Sequence, residues 1–269
     1  MQITVLMEDT CTNPECEYEH GLSLYIEAEG YKILADTGAS EKTIFNAGKL
    51  DVDLSKVDFA VLSHGHYDHS GGILAFRRIN ADAVIYMQRT ALDDYYHGER
   101  YIGVDKQISQ LPNIKLLAGN TEIDRNISIF TGITGKKFCP KSNLGLTRRV
   151  GGEDVQDDFA HEQCLVIRGD KTLLVSGCAH NGILNILDRY EGLYGGVPDV
   201  VISGFHMVKK TAYSEEEKEI ILKTAEELRR SGAIYYTGHC TGQQAIDLMK
   251  PIMGDKLIQI QCGMRINLS

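Results

Sequence analysis

Ten residues constrain this chain more than any other stretch. S-H-G-H-Y-D-H-S-G-G occupies positions 63–72 and follows directly on the apolar run D-F-A-V-L at 58–62. Four potential metal ligands, His64, His66, Asp68 and His69, therefore fall within six residues at the end of a buried strand. Imidazole and carboxylate at that density suit a borderline divalent ion, zinc first, with manganese or iron also fitting. Side chains at i and i+2 of an extended segment point the same way, so His64 and His66 can share one ion, while Asp68 and His69, past the bend, can face a second. Gly65, Gly71 and Gly72 are expected to let the backbone turn sharply. A single loop histidine ordinarily does no more than hydrogen-bond; a cluster of polar groups behind a buried strand is costly unless it ligates something.

Around that loop the chain reads as a layered α/β protein. Short runs rich in Val, Ile and Leu predict strands at 2–7, 22–28, 31–35, 58–63, 83–87, 127–131, 163–168, 172–177, 200–203 and 233–237. The clearest helix spans 214–230: Ser214 and Glu217 form a capping box, Ile221, Ala225 and Leu228 an apolar stripe, and Gly232 a stop. A second is expected to start at Thr241, with Gln244 as its box partner, and to stop before Pro251. Further helices are expected at 41–48, 70–79, 90–96 and 182–190, covering one or more sheets.

The chain also echoes itself. His20-G-L-S-L-Y-I-E-A, a turn, and I-L-A-D36 are matched by His161-E-Q-C-L-V-I-R-G, a turn one residue shorter, and L-L-V-S176. D-F-A-V-L-S-H-G-His66 is matched, with one gap, by D-V-V-I-S-G-F-His206. Two halves sharing one plan are expected.

No apolar run approaches the roughly 18 residues of a membrane helix, and no basic leader precedes an apolar stretch at the start. Seven scattered cysteines, an odd number, suit a reducing compartment better than a disulfide framework, so a cytoplasmic protein is expected. With 28 basic against 37 acidic residues, a net charge of −9, no duplex nucleic acid partner is expected.

The histidine loop, together with Asp36 in I-L-A-D-T-G, G-C-A-H-N-G-I-L-N-I around His180, S-G-F-H at His206 and T-G-H-C-T-G around His239, resembles the metallo-β-lactamase superfamily over nearly the whole length. Within it the chain looks closest to the branch named for a dihydropterin-ribofuranosylaminobenzene-phosphate synthase. The resemblance implies one domain over 1–269, built as a four-layer αββα sandwich of two mixed sheets with pseudo-twofold halves. It also implies two divalent metal ions, one on His64, His66 and a middle histidine, the other on Asp68, His69 and His239, with Asp36 orienting a ligand from behind. For the middle histidine His180 is preferred to His161. Where most superfamily hydrolases have Gly-Asp, this chain has Gly177-Cys178. Cys178 is then either a thiolate ligand in place of the bridging carboxylate or a small buried apolar group.

These features predict a metal-dependent hydrolase in which a dinuclear site activates water against a small anionic, phosphate-containing ester. Asp68 would manage the water's proton and His206 contact substrate or protonate the leaving group. Between Asp124 and Glu153 no acid occurs, while Arg125, Lys136, Lys137, Lys141, Arg148 and Arg149 do; a mobile basic loop that draws in an anion is one reading, a solvated charged loop the other. Tyr95, Tyr96 and Tyr101 could stack on a flat ring or simply pack. His20 is expected near the rim and His97 in a solvated loop; Cys11 and Cys16, spaced C-x4-C, could bind a separate metal but lack partners nearby and are expected as free thiols. Two other readings stand beside the hydrolase: a di-iron oxidoreductase, whose flavodiiron relatives carry a flavodoxin domain for which there is no room, and a non-catalytic metal- or ligand-binding module.

Overall fold

The computed structural model describes residues 1–268; Ser269, the end of the expected domain, lies outside the described residues. Numbered in chain order, one seven-stranded sheet runs β18 (Arg265–Asn267), β1 (Gln2–Met7), β2 (Ser23–Ala28), β3 (Tyr31–Ala35), β4 (Phe59–Val61), β5 (Val84–Gln88) and β8 (Ile114–Leu117). A second runs β17 (Leu257–Gln259), β16 (Ile234–Thr237), β15 (Val200–Ile202), β14 (Thr172–Val175), β13 (Cys164–Arg168), β10 (Ile127–Phe130) and β9 (Thr121–Asp124).

The central strands β4, β10, β13, β14 and β15 are largely apolar because both of their faces are buried. Leu24, Ile26, Ile33, Phe59 and Val61 alternate into the core between the sheets, where they meet Leu165, Ile167, Leu173, Val200 and Ile202. The intervening Tyr25, Leu34 and Ala60 face outward under α1 (Lys42–Lys49) and α3 (Ile73–Ile79), the latter preceded by the short α2 (Tyr67–Ser70). Val166, Leu174 and Val201 face outward under α4 (Ile183–Tyr194), α5 (Glu215–Ser231) and α6 (Gln243–Met253). The result is the expected αββα sandwich of two mixed sheets.

The internal echo is visible in the topology. β1-β2-β3 is antiparallel and β3-β4-β5-β8 parallel. β10-β13-β14 is likewise antiparallel and β14-β15-β16-β17 parallel. Even the strand exits correspond: Asp36 N donates to Val61 O (2.9 Å) in one half, Ser176 N to Ile202 O (3.0 Å) in the other. Among the described residues no helix is long and apolar enough to cross a membrane.

Several sequence expectations need correction. Instead of a helix over 90–96 there is a short turn followed by β6 (Asp94–His97), which joins β7 (Arg100–Tyr101), β11 (Leu146–Val150) and β12 (Glu153–Gln156) in a third sheet ordered β12-β11-β6-β7. Tyr95 and Tyr96 favour strand once a distant partner is available, here Thr147 and Arg148. The same hairpin means that the acid-free stretch is not a featureless loop. α6 starts at Gln243, after Gly242, rather than at Thr241, whose hydroxyl accepts instead from Phe205 N (2.8 Å). It also runs through Pro251, which lies on the exposed face near the end while Met249 and Met253 are buried against the sheet. The 70–79 helix is divided into α2 and α3 at Gly71-Gly72.

α5 carries the expected box: Ser214 Oγ accepts from Glu217 N (3.3 Å) and the Glu217 carboxylate accepts from Ser214 N (2.7 Å). Ser214→Ala is expected to cost about 1 kcal/mol in urea denaturation, while leaving metal content unchanged.

Candidate metal centre

β4 ends at the core edge, and the histidine loop that follows is shaped by contact with other backbone. A Cβ on Gly65 would lie 2.4 Å from Ala91 O and one on Gly71 2.0 Å from Ala39 O, so glycine is needed for close approach rather than, as expected, for a sharp turn. Behind the loop, Asp36 accepts from Ser63 N (2.7 Å) and Ser63 Oγ (2.7 Å) and holds His69 Nδ1 at 2.7 Å. Ser63 Oγ also meets His64 Nδ1 at 2.8 Å, so that ring donates there and turns Nε2 forward.

His180 is oriented in the same way, Nδ1 against Asn143 Oδ1 at 3.0 Å. The rings of His64, His66 and His180 form a near-equilateral triangle, their centroids 4.7, 4.8 and 4.9 Å apart. Their ligand atoms lie within 4.8 Å of one another. All three Nε2 atoms are buried without a hydrogen-bond partner. Burial pushes the His66 imidazole down to about 3, and His64 and His180 well below their ordinary value, with neighbouring imidazoles adding to the effect. Three neutral, converging, unpartnered imidazole nitrogens are a donor set for a divalent cation.

A second cluster adjoins it. Asp68 Oδ2 is 3.4 Å from His239 Nε2 and 3.8 Å from His69 Nε2. His69 Nε2 is 3.2 Å from His239 Nε2 and 3.1 Å from Cys178 Sγ. Burial works against the Asp68 carboxylate, yet His69, His20 and His239 hold it well below the usual range. His239 is aimed by Asp9, whose Oδ1 is 2.6 Å from Nδ1, and by Glu8, which accepts its backbone N–H at 2.5 Å. Asp36, His206 and His239 all have left-handed backbone, φ of 58°, 48° and 47°, a concentration of strain at one place.

The two candidates for the middle histidine are placed differently. His161 Nδ1 accepts from Gly65 N (2.8 Å) and its Nε2 faces Asp157 Oδ2 (3.1 Å), so both nitrogens are engaged in holding the loop. His206 sits beside the triangle, its ring 4.1 Å from His180. The Ser142 hydroxyl donates to His206 O and so accepts from Nδ1 at 2.8 Å, leaving Nε2 as an acceptor.

Sequence reasoning missed Asp9 and understated His20. His20 Nε2 is 3.3 Å from Asp68 Oδ2, its Nδ1 is 2.8 Å from Asp9 Oδ2, and its ring is 4.5 Å from His239. Burial alone would lower its pKa, but Asp68 and Asp9 raise it to about 9. No local pattern marks Asp9; it matters because β1 delivers it beside a loop more than two hundred residues later.

Above the centre opens a cleft of about 730 Å³. His20, His66, Asp68 and His206 line it, with Arg100, Lys141, Lys209 and Lys210 as cations and Phe138, Ile102 and Met207 among its apolar walls. Of the expected basic island only Lys141 reaches it. Arg148 lies 3.6 Å from both Asp93 and Asp158, Arg149 pairs with Asp154 at 2.8 Å, and Lys137 with Glu227 at 3.2 Å. The tyrosines pack: Tyr95 is buried 4.2 Å from the His161 ring, and Tyr96 and Tyr101 meet edge-on at 5.4 Å. His97 is exposed, as expected, but lies at the end of β6 and lines the cleft.

Residues 18–131 match the family model of the metallo-beta-lactamase superfamily. The 7,8-dihydropterin-6-methyl-4-(beta-D-ribofuranosyl)-aminobenzene-5'-phosphate synthase of Methanocaldococcus jannaschii is 30% identical over 267 residues, covering 91% of this chain and 88% of that protein. The crystal structure of Tm1679, a metal-dependent hydrolase of the beta-lactamase superfamily, superposes with a TM-score of 0.85 at 31% identity, over 100% of this chain and 99% of that one. A diphosphatase from the PhnP family shares the fold at 14% identity, with a TM-score of 0.54 and coverage of 100% and 98%. Similarity sustained along nearly the full length, in sequence and in strand order, makes this chain a member of the metallo-beta-lactamase superfamily.

Proposed function

We propose that the chain, a metal-dependent hydrolase by its superfamily, holds two divalent cations, zinc by preference, and hydrolyses a small anionic, phosphate-containing ester. His64, His66 and His180 would hold one ion; Asp68, His69 and His239 the other, with Cys178 presenting sulfur where most superfamily hydrolases have the Asp of Gly-Asp. The observation that carries this reading is the set of three buried Nε2 atoms without partners, set beside the Asp68 cluster. Bound there, such ions lower the pKa of water and stabilise negative charge developing on a phosphoryl or carbonyl oxygen.

The chain's own residues supply the rest. Asp68, kept ionised between His69 and His239, can accept the water's proton. His206 presents Nε2 to the cleft as an acceptor, which favours contact with a substrate hydroxyl or amide over proton donation. His20 lines the same cleft with both ring nitrogens engaged by the carboxylates of Asp9 and Asp68. Arg100 and Lys210 add positive charge to a cleft in an otherwise acidic protein, and the apolar walls suit an organic moiety joined to the anion.

Three measurements test this. By inductively coupled plasma mass spectrometry, His64→Ala and His180→Ala should each lose one metal equivalent and His239→Ala another, while His161→Ala and His206→Ala retain both. Loss from His161→Ala but not His180→Ala would reassign the third ligand, and failure to turn over any phosphate ester with zinc, manganese or iron would sink the hydrolase reading. Asp36→Asn should weaken metal affinity by roughly 10–100-fold, read by competition with a chromogenic chelator, because its contact with His69 Nδ1 is lost or reversed. Arg100→Ala and Lys210→Ala should raise KM for an anionic ester up to about tenfold, roughly 1.4 kcal/mol, with kcat unchanged and the difference shrinking at high salt.

A further inference from the structure

The segment between β1 and β2 delivers Glu8, Asp9 and His20 to the metal centre, and Cys11 and Cys16 lie within it. Folding brings them the partner they lack in sequence. Cys262, just before β18, donates its N–H to Thr10 O (2.9 Å), and Cys11 and Cys262 form an isolated parallel bridge. Cys11 Sγ approaches Cys262 O at 3.5 Å. From the other side comes Asn46, fully buried on α1: its Nδ2 donates its two hydrogens to Leu6 O (2.7 Å) and Glu17 O (2.7 Å) and lies 3.2 Å from Cys262 Sγ, and its Oδ1 accepts from Glu17 N (2.8 Å). One amide thus sets the residue after Cys16 beside the sulfur of Cys262. Burial and the neighbouring Cys11 and Cys16 thiols push the Cys262 thiol up from its ordinary value.

We propose that Cys11, Cys16 and Cys262 form a further metal site, separate from the histidine centre, for a thiophilic divalent cation of the zinc class. Three converging sulfurs are one more than a disulfide uses, and thiolates select soft or borderline ions. Cys262 is buried, whereas Cys11 and Cys16 are half-buried, which leaves an entry path and room for water as a fourth ligand. The approach of the Asn46 amide nitrogen to Cys262 Sγ, at 3.2 Å, places the positive end of a fixed dipole beside a sulfur that a metal would hold. Without metal, Cys11 and Cys262 donate to Asn13 O and Leu6 O, both at 3.2 Å; on binding, each ligating thiol releases its proton to solvent. The bound ion would staple the first residues of the chain to the last and fix the segment that carries Asp9 against His239.

Cobalt(II) added to metal-stripped, reduced full-length protein tests the proposal independently of the hydrolytic reading. Wild-type protein should bind one more equivalent than Cys262→Ser, and the difference spectrum should contain a sulfur-to-cobalt band in the near ultraviolet. Cys11→Ser, at a half-buried position, should lose the same equivalent and serves if Cys262→Ser does not fold. His64→Ala should retain the band. Equal cobalt stoichiometry in wild type and both cysteine variants would overturn the proposal, as would a disulfide within the trio, seen by mass spectrometry of protein purified without reductant.

Discussion

The contact on which the centre depends is the buried carboxylate of Asp36. It closes β3 with a left-handed residue, receives the N–H and hydroxyl of Ser63 at the exit of β4, and fixes the His69 ring, all at 2.7 Å. Two adjacent strands are thereby locked to one histidine of the cluster, and through Ser63 Oγ to a second, His64. A buried carboxylate is stable only when its acceptor capacity is used by donors, and here three donors use it. In front, the Nε2 atoms of His64, His66 and His180 lie close together and unpartnered, an arrangement that disfavours the metal-free form and suits a cation.

Much of this was legible in residue order. Alternating apolar runs marked β2, β3, β13 and β14, since each strand is short, local and buried on both faces. The capping box of α5 was legible because its signal spans four residues. What could not be seen depends on distant pairing. β6 and β11 are strands because Tyr95 and Tyr96 meet Thr147 and Arg148, and neither segment announces this alone. The basic residues left an anion trap open as a reading beside a solvated loop because their partners, Asp93, Asp154 and Glu227, sit on other elements or beyond the acid-free stretch. Asp9, Asn46 and Cys262 matter only through what folding sets beside them.

The pseudo-twofold plan explains where the centre lies and why it is one-sided. Both halves place a loop at the same crest, after β4 and after β15, and the strand exits behind them share the same backbone hydrogen bond. Where the first half has Asp36 and a loop with His64, His66, Asp68 and His69, the second has Ser176 and, in S-G-F-H, the single His206. Ser176 Oγ is buried without a partner, the mark of a position whose counterpart across the axis performs a task that it does not. The second half instead supplies His180 from the turn before α4 and His239 from the turn before α6, reaching across the interface to complete both clusters. A centre assembled from one donor-rich loop and two single histidines of the opposite half requires the sheets to keep their relative position. The core between them, Ile26, Ile33 and Phe59 against Leu165, Leu173 and Ile202, is therefore as much a part of the proposed metal site as the histidines are.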